Sequence, residues 1–235
     1  MSPAPDPTTH PGGGLAVEFT DAVAIVGGFP VLAGANFHVR RGEIVLLHGP
    51  NGAGKTSLLR LCAGLLPLER GQARVLGLDL VRQRADVRRR VGLLGHGNGL
   101  YVDLTVSENV AFWGATVGAG AGEIAAALVR MGLDGRLATV AVGRCSAGQK
   151  RRTALACLVV RRAELWLLDE PHASLDAVAR DELDDLLRKA AAAGATVIVA
   201  SHETERAAPL ATRQLAVAGG RVVDDTPSPG VGRGT

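Results

Sequence analysis

One glycine-rich segment constrains this chain more than any other feature. Residues 49–57 read GPNGAGKTS and fit the pattern G-x-x-x-x-G-K-[ST] of a phosphate-binding loop. The apolar run 44–47 precedes the segment, and apolar residues at helical spacing follow it at Leu58, Leu61 and Leu65. A strand, a glycine loop and a helix in this order are the context that the pattern requires. The sequence therefore predicts an α/β fold that binds phosphate groups.

Lysine usage supports the same interpretation. The chain has 26 lysines and arginines together, and only Lys55, Lys150 and Lys189 are lysines. A chain that otherwise uses arginine thus has a lysine where the loop requires one. Lys55 is expected to reach the β- and γ-phosphates, and the Thr56 hydroxyl is expected to ligate Mg²⁺. The predicted phosphate contacts are Gly49, Pro50, Asn51, Gly52, Ala53, Gly54, Lys55, Thr56 and Ser57.

An acidic pair follows a second apolar run. Residues 165–168 read LWLL, as expected of a buried strand, and Asp169-Glu170-Pro171 comes directly after them. In a chain with a phosphate-binding loop, an acidic pair at a strand end suits phosphoryl transfer. We expect Asp169 to hold Mg²⁺ through water, and Glu170 to orient or deprotonate the attacking water.

A serine and a glutamine three residues apart mark another helix start. Ser146 and Gln149 form a capping-box pattern, and an apolar stripe follows them. The residues alone leave two interpretations open. One is a capped helix without further role, and the other is a helix N-terminus that offers N–H groups and a hydroxyl to an anion.

A histidine ends a third apolar run. Residues 196–200 read TVIVA, and Ser201-His202 follows them. The end of this strand should lie at the same sheet edge as Gly49 and Asp169, where ligands bind in α/β sheets. His202 is therefore a candidate site residue.

The order of patterns predicts one domain between two short tails. We expect a disordered tail over residues 1–13, a domain over 14–225 with a mainly helical insertion at about 98–160, and a second tail over 226–235. Short strands ahead of the parallel core predict a mixed sheet.

Charge and cysteine content narrow the function classes. The net charge is +3, and the arginines occur as pairs and one triple, which predicts a solvated surface rather than a nucleic-acid face. Cys62, Cys145 and Cys157 are odd in number and lack a C-x-x-C spacing, so a reducing cytosol is expected. No apolar run is long enough to span a bilayer, so any link to a membrane is expected to come through a partner chain.

Taken together, the motifs resemble the nucleotide-binding domain of ATP-binding-cassette (ABC) transporters over about residues 15–223. The resemblance implies an α/β P-loop NTPase of the ABC type, with a mixed β core sheet and a helical signature subdomain. The motifs stand in the family's order: GPNGAGKTS at 49–57, CSAGQ at 145–149, LWLLDEP at 165–171, SLD at 174–176, and His202.

The resemblance also implies partners and roles. Two such domains pair head to tail and hold ATP and Mg²⁺ between them, and hydrolysis drives a transmembrane permease from the cytoplasmic face of the membrane. Ser146, Gly148 and Gln149 would then serve the partner's nucleotide. The residues that serve this chain's own nucleotide would be Lys55, Thr56, Asp169, Glu170 and His202.

A narrower likeness is to the ATPase subunits of haem exporters in cytochrome c maturation. His96 stands where the wider family has a glutamine, and Ala147 replaces the first glycine of the signature. The likeness implies that His96 contacts Mg²⁺ or the attacking water, which requires a neutral ring because a protonated ring has no acceptor. The aromatic residue that stacks on adenine would fall near Val26, so we expect either weak stacking on the base or a substitution by Phe29.

Other functions remain open at this point. One is an exporter of a drug, lipid or peptide, and another is a soluble ABC ATPase associated with nucleic acid or the ribosome. The second class usually has two cassettes or long coiled coils, whereas this chain has one cassette and no heptads. A degenerate regulator is disfavoured because Lys55, Asp169, Glu170 and His202 are all present.

Overall fold

A computed structural model describes residues 14–95 and 97–228. Three predictions lie wholly or partly outside these ranges: the catalytic candidate His96, the tail over 1–13, and the part of the second tail from 229 to 235. The strands, in chain order, are β1 (Leu15–Val26), β2 (Phe29–Arg40), β3 (Ile44–His48), β4 (Arg70–Val75), β5 (Leu78–Asp79), β6 (Val91–Leu94), β7 (Leu165–Asp169), β8 (Thr196–Ala200), β9 (Arg213–Ala218) and β10 (Arg221–Pro227).

The helices of the described chain all lie between β3 and β9 in sequence. They are α1 (Lys55–Cys62), α2 (Arg84–Arg90), α3 (Val106–Ala115), α4 (Ala121–Arg130), α5 (Ala147–Val160), α6 (Ala177–Ala192) and α7 (Thr204–Ala207). Two short 3-10 helices, Gly135–Thr139 and Val142–Arg144, connect α4 to α5. Thr105, Ser146 and Asp176 each accept a backbone N–H at the start of α3, α5 and α6, which satisfies an N–H that has no partner within the helix.

The strands form two sheets. One is antiparallel, in the order β2-β1-β4-β5. The other has the order β10-β9-β3-β8-β7-β6, in which the strands from β9 to β6 are parallel and β10 runs antiparallel at the edge. The prediction of an α/β fold with a mixed core sheet is confirmed.

The central strands are buried on both faces, which explains their continuous apolar runs. Along β3, Val45 and Leu47 point to one face and pack with α1 and the antiparallel sheet. Ile44 and Leu46 point to the other face and pack with α3, α5 and α6. Because parallel strands place their carboxyl ends at one edge, the segments after β3, β7 and β8 meet there.

The first strand, Leu15–Val26, is bent but not ended by an irregularity with Asp21 at φ 48°. At the other end, Thr226 and Pro227 were expected in a tail but pair with β9 as the end of β10. The helices of the expected insertion at 98–160 begin at Val106 and end at Val160.

Candidate functional site

The glycine loop connects the end of β3 to the start of α1. Gly49 has a φ of 138°, in the left-handed region, and a Cβ there would lie 2.1 Å from the carbonyl oxygen of Val217 in β9. Only glycine fits this position, because both the backbone conformation and the close approach of β9 exclude a side chain. The loop is thus fixed against the sheet before any ligand binds.

The start of α1 leaves its N–H groups free for an anion. Gly54 is the residue before the helix, and within the described chain no side chain caps this end. Lys55 is buried, with 8% of its surface exposed, and its Nζ donates to the carbonyl oxygens of Gly49 at 2.7 Å and Pro50 at 3.1 Å. Free N–H groups, the helix dipole and a folded-back ammonium together form an arrangement that attracts phosphate.

An oxygen pair links α1 to β7. The Thr56 hydroxyl donates to Asp169 Oδ2 at 2.8 Å, and Asp169 is 8% exposed. A hydroxyl and one carboxylate suit Mg²⁺, which commonly takes one or two carboxylates from the protein and completes its shell with phosphates and water. In residues 14–95 and 97–228, His, Cys, Asp and Glu do not gather in groups of three or more that could hold a metal ion by themselves.

These groups line one open cleft of about 850 Å³. It brings together most of the predicted loop with both acidic residues. The lining residues are Pro30, Val31, Asn51, Gly52, Ala53, Gly54, Lys55, Thr56, Ser57, Leu59, Arg60, Leu65, Leu93, Gly95, Gly97, Asp169, Glu170, Gly219 and Gly220.

Glu170 is held by contacts at its backbone and its carboxylate. Its φ is 48°, a strained value for a residue with a side chain, and its N–H donates to the Ala200 carbonyl at 2.9 Å. Its Oε2 accepts from the Ser201 hydroxyl at 3.2 Å, and its Oε1 accepts from the His202 N–H at 2.9 Å. The carboxylate therefore lies between the end of β7 and the end of β8.

The His202 ring also contacts Glu170. Its Nδ1 lies 2.8 Å from Oε1, and the ring remains largely exposed. The hydrogen bond and the negative charge of Glu170 raise the pKa of His202, with a smaller contribution from Glu203, whereas Lys55 lowers it. This ion pair stabilises the fold fully below the ordinary histidine pKa, and its contribution disappears as the pH rises through the elevated pKa.

The His202 titration gives a direct prediction. In the folded chain, the ring should titrate above the ordinary value of about 6.5, and Glu170→Gln should return its pKa toward that value. NMR titration of the ring protons measures both. An unchanged His202 midpoint in the variant would show that Glu170 does not cause the shift.

The signature residues lie apart from the cleft. Gln149 N–H donates to Ser146 Oγ at 3.2 Å and Ser146 N–H donates to Gln149 Oε1 at 2.8 Å, so the expected capping box is present. Ser146 is exposed, and Gly148 lies so close to the next loop that a Cβ would be 3.1 Å from the Ser174 carbonyl. Ser146, Gly148 and Gln149 are not among the residues that line the cleft of their own chain.

Sequence reasoning missed Ser201 and Arg151. Ser201 directly precedes His202 at the end of β8, and this position at the ligand-binding edge of the sheet could have marked it as a candidate site residue. Arg151 was assigned to a solvated pair with Arg152, yet only 4% of it is exposed and its guanidinium donates to carbonyls after β6 and β7. Burial lowers the pKa of Arg151 and the charges of Asp169 and Glu170 oppose that shift, so the group stays charged.

The two candidates for adenine stacking lie on the turn between β1 and β2. Val26 pairs with Phe29 across the turn, and 76% of the Phe29 surface is exposed. The next two residues, Pro30 and Val31, line the cleft. Phe29 is thus beside the cleft and free to stack, and its role stays a prediction.

Comparisons with known proteins agree on one family. The family model described as "ABC transporter" matches residues 32–173. The chain is 41% identical over 187 residues to the cytochrome c biogenesis ATP-binding export protein CcmA of Xanthomonas axonopodis pv. citri, covering 79% of this chain and 86% of that protein. A protein of the same name from Rhodospirillum rubrum is 38% identical over 199 residues, covering 85% of each.

Solved structures share the fold. A dimeric post-hydrolysis state of the ATP-binding cassette MJ0796, bound to ADP and Pi, has a TM-score of 0.84 at 23% identity, covering 91% of this chain and 99% of that one. An ATP-binding subunit of an ABC transporter has a TM-score of 0.82 at 26% identity, covering 90% of both chains. Each helix in the described parts of this chain is too short or too polar to cross a bilayer.

Proposed function

The chain belongs to the ABC transporter family, and from this membership we propose that it hydrolyses ATP to drive the export of haem for cytochrome c biogenesis. The observation that carries the cargo assignment is the identity of 38 to 41% to export proteins of cytochrome c biogenesis over most of the chain. The activity of the chain is that of an ABC ATPase.

Lys55 and the start of α1 bind the phosphates of ATP in the cleft. The Lys55 ammonium donates to the carbonyls of Gly49 and Pro50, both within the loop. A phosphate oxygen replaces these neutral acceptors with a charged one, so the exchange favours the bound state. The free N–H groups of α1 contribute further hydrogen bonds along the helix dipole.

Thr56 and Asp169 are the residues that would hold Mg²⁺, because their oxygens already meet at 2.8 Å. When bound there, Mg²⁺ neutralises charge on the β- and γ-phosphates. Glu170 accepts a proton from the attacking water or orients it, and Ser201 and His202 keep its carboxylate at the cleft. His96 is proposed to contact the same water or Mg²⁺.

A complete site needs a second nucleotide-binding domain. Ser146, Gly148 and Gln149 are proposed to close over the nucleotide of a partner domain, because they lie outside the cleft of their own chain. The capped, exposed start of α5 offers the hydroxyl and N–H groups that a γ-phosphate requires. The same residues of the partner would complete this chain's cleft.

A transmembrane permease is the proposed route for the cargo. The chain would bind it peripherally at the cytoplasmic face, and the helical part from α3 to α5 would transmit closure of the nucleotide sandwich. Direct nucleic-acid binding is not part of the proposed function, because Arg90, Arg151 and Arg161 donate to a carboxylate or to backbone carbonyls of their own chain.

The cargo assignment is tested by deleting the gene for this chain in its host and staining c-type cytochromes for haem. We expect the covalently bound haem signal to disappear. The wild-type gene should restore it, while a gene with Lys55→Ala at equal protein level should not. Normal staining in the deletion strain would contradict haem export and leave an exporter of another cargo.

A further inference from the structure

We propose that Arg151 is a positioning residue that couples the two ATP sites of the dimer. It joins α5, whose first residues serve the partner's nucleotide, to the segment that carries Glu170 in its own site. This inference rests on the proposed function, because it requires the two-domain sandwich.

The Arg151 guanidinium uses its full donor capacity. Nη2 donates to the carbonyls of Asp169, at 2.8 Å, and Glu170, and Nε donates to the Pro171 carbonyl at 3.2 Å. Nη1 donates to the Gly95 carbonyl at 3.0 Å and to Asn98 Oδ1 at 2.9 Å. Arginine has five N–H donors in a fixed planar fork, so five acceptors fix its position completely.

These contacts hold the backbone of Glu170 from one side while β8 holds it from the other. The Glu170 carbonyl accepts from Arg151, and its N–H donates to Ala200. The residue between these two bonds has a φ of 48°, which a side-chain-bearing residue adopts only when its surroundings enforce it. The direction of the Glu170 carboxylate therefore depends on the position of Arg151.

Arg151 moves with the signature. It lies five residues after Ser146 on α5, about 7.5 Å along a rigid helix. The first turn of the same helix also touches the loop after β7, where Gly148 lies against the Ser174 carbonyl. A nucleotide that draws Ser146 toward the partner domain therefore displaces Arg151, and with it the catalytic segment of the other site. This arrangement predicts that ATP hydrolysis is cooperative and that the cooperativity depends on the hydrogen bonds of the Arg151 guanidinium.

Arg151→Lys tests the fork, because lysine keeps the positive charge but has only three donors at a single point. Arg152→Lys is the matched control, since Arg152 is the next residue on α5 and, within the described chain, its guanidinium donates to the Met131 carbonyl alone, at 3.3 Å. The measurements on the full chain are ATP hydrolysis against ATP concentration, binding of a fluorescent ATP analogue with Mg²⁺ to the monomer, and thermal unfolding.

For Arg151→Lys we expect kcat to fall roughly 10- to 100-fold, because small displacements of a catalytic group have effects of that order. The Hill coefficient should fall from above one in the wild type to about one. The Kd of the monomer for the analogue should stay within about twofold, because the lysine and helix N–H groups of the cleft are unchanged. Arg152→Lys should match the wild type in all three.

Several results would overturn the inference. The first is that Arg151→Lys and Arg152→Lys have the same kcat and the same Hill coefficient. The second is that Arg151→Lys loses enough affinity for the analogue to account for its lower kcat. The third is that the wild type hydrolyses ATP without cooperativity. If Arg151→Lys does not fold, Asn98→Gly is the second variant. It removes one acceptor of the Arg151 guanidinium, and glycine tolerates the φ of 55° at that position. A wild-type Hill coefficient in Asn98→Gly would also overturn the inference. Absence of any hydrolysis by the wild type would instead contradict the proposed function.

Discussion

Glu170→Gln is expected to lower the rate of ATP hydrolysis about 100- to 10,000-fold while ATP still binds, since that is the usual contribution of a general base. Glutamine keeps the size of the side chain and its acceptor oxygen, so the contacts with Ser201 and His202 persist in weaker form. The amide cannot accept a proton from water at neutral pH. Hydrolysis measured by phosphate release gives the rate.

The same variant should accumulate as an ATP-bound dimer, because the step that opens the sandwich is blocked. Size-exclusion chromatography with light scattering should show a dimer with ATP and Mg²⁺ and a monomer without them. Adding Ser146→Arg should return the sample to monomer, since a long charged side chain at the exposed start of α5 would block closure.

Glu164→Gln is the matched control, because it also replaces a glutamate next to β7 with glutamine. Glu164 directly precedes β7, at the opposite end of the strand from Glu170, does not line the cleft, and pairs with Arg41 and Arg90. It should retain wild-type turnover. A Glu170→Gln variant that also hydrolyses ATP at the wild-type rate would remove Glu170 from the mechanism.

Lys55→Ala should abolish measurable hydrolysis and weaken ATP binding. The Lys55 ammonium lies in the cleft and donates to a carbonyl of the loop. Removing one group that stabilises the negative charge of a transition state lowers the rate at least about 100-fold. We expect binding to weaken as well, because the proposed contact of the ammonium with the phosphates would form in the ground state and in the transition state. Turnover and calorimetric ATP titration measure the two effects.

Lys189→Ala is the matched control for Lys55→Ala. Lys189 forms an exposed pair with Asp185 on α6, at 2.5 Å, and such surface pairs contribute little to stability. If Lys189→Ala lowered turnover and ATP affinity as much as Lys55→Ala, the loss of any lysine, and not of the Lys55 contact in the cleft, would explain the result. Wild-type ATP affinity in Lys55→Ala would contradict the role of the cleft.

Much of the fold followed from local patterns. The central strands were recognisable because β3, β7 and β8 are buried on both faces, and such strands are apolar at every position. The boundaries were harder to predict. Thr226 and Pro227 have the composition of a tail, and only pairing with Gln214 and Arg213 in β9 makes them a strand.

The sequence by itself determined the phosphate-binding loop, the acidic pair and the capping box. Each depends on residues that lie only a few positions apart in the chain, so the pattern is visible without the fold. The assignment to the ABC family followed from the order of these motifs. His96, the tails at residues 1–13 and 229–235, and the roles of individual site residues stay predictions.

Only the tertiary structure decided which groups meet across the chain. Arg151 and Arg152 are adjacent and chemically identical, yet Arg151 is enclosed by carbonyls from two distant segments, whereas Arg152 donates to the Met131 carbonyl near the end of α4. Likewise, the contact of Glu170 with His202 requires β7 and β8 to lie side by side in parallel. A residue's type sets which bonds it is able to form, whereas packing over long sequence distances sets which partners are within reach.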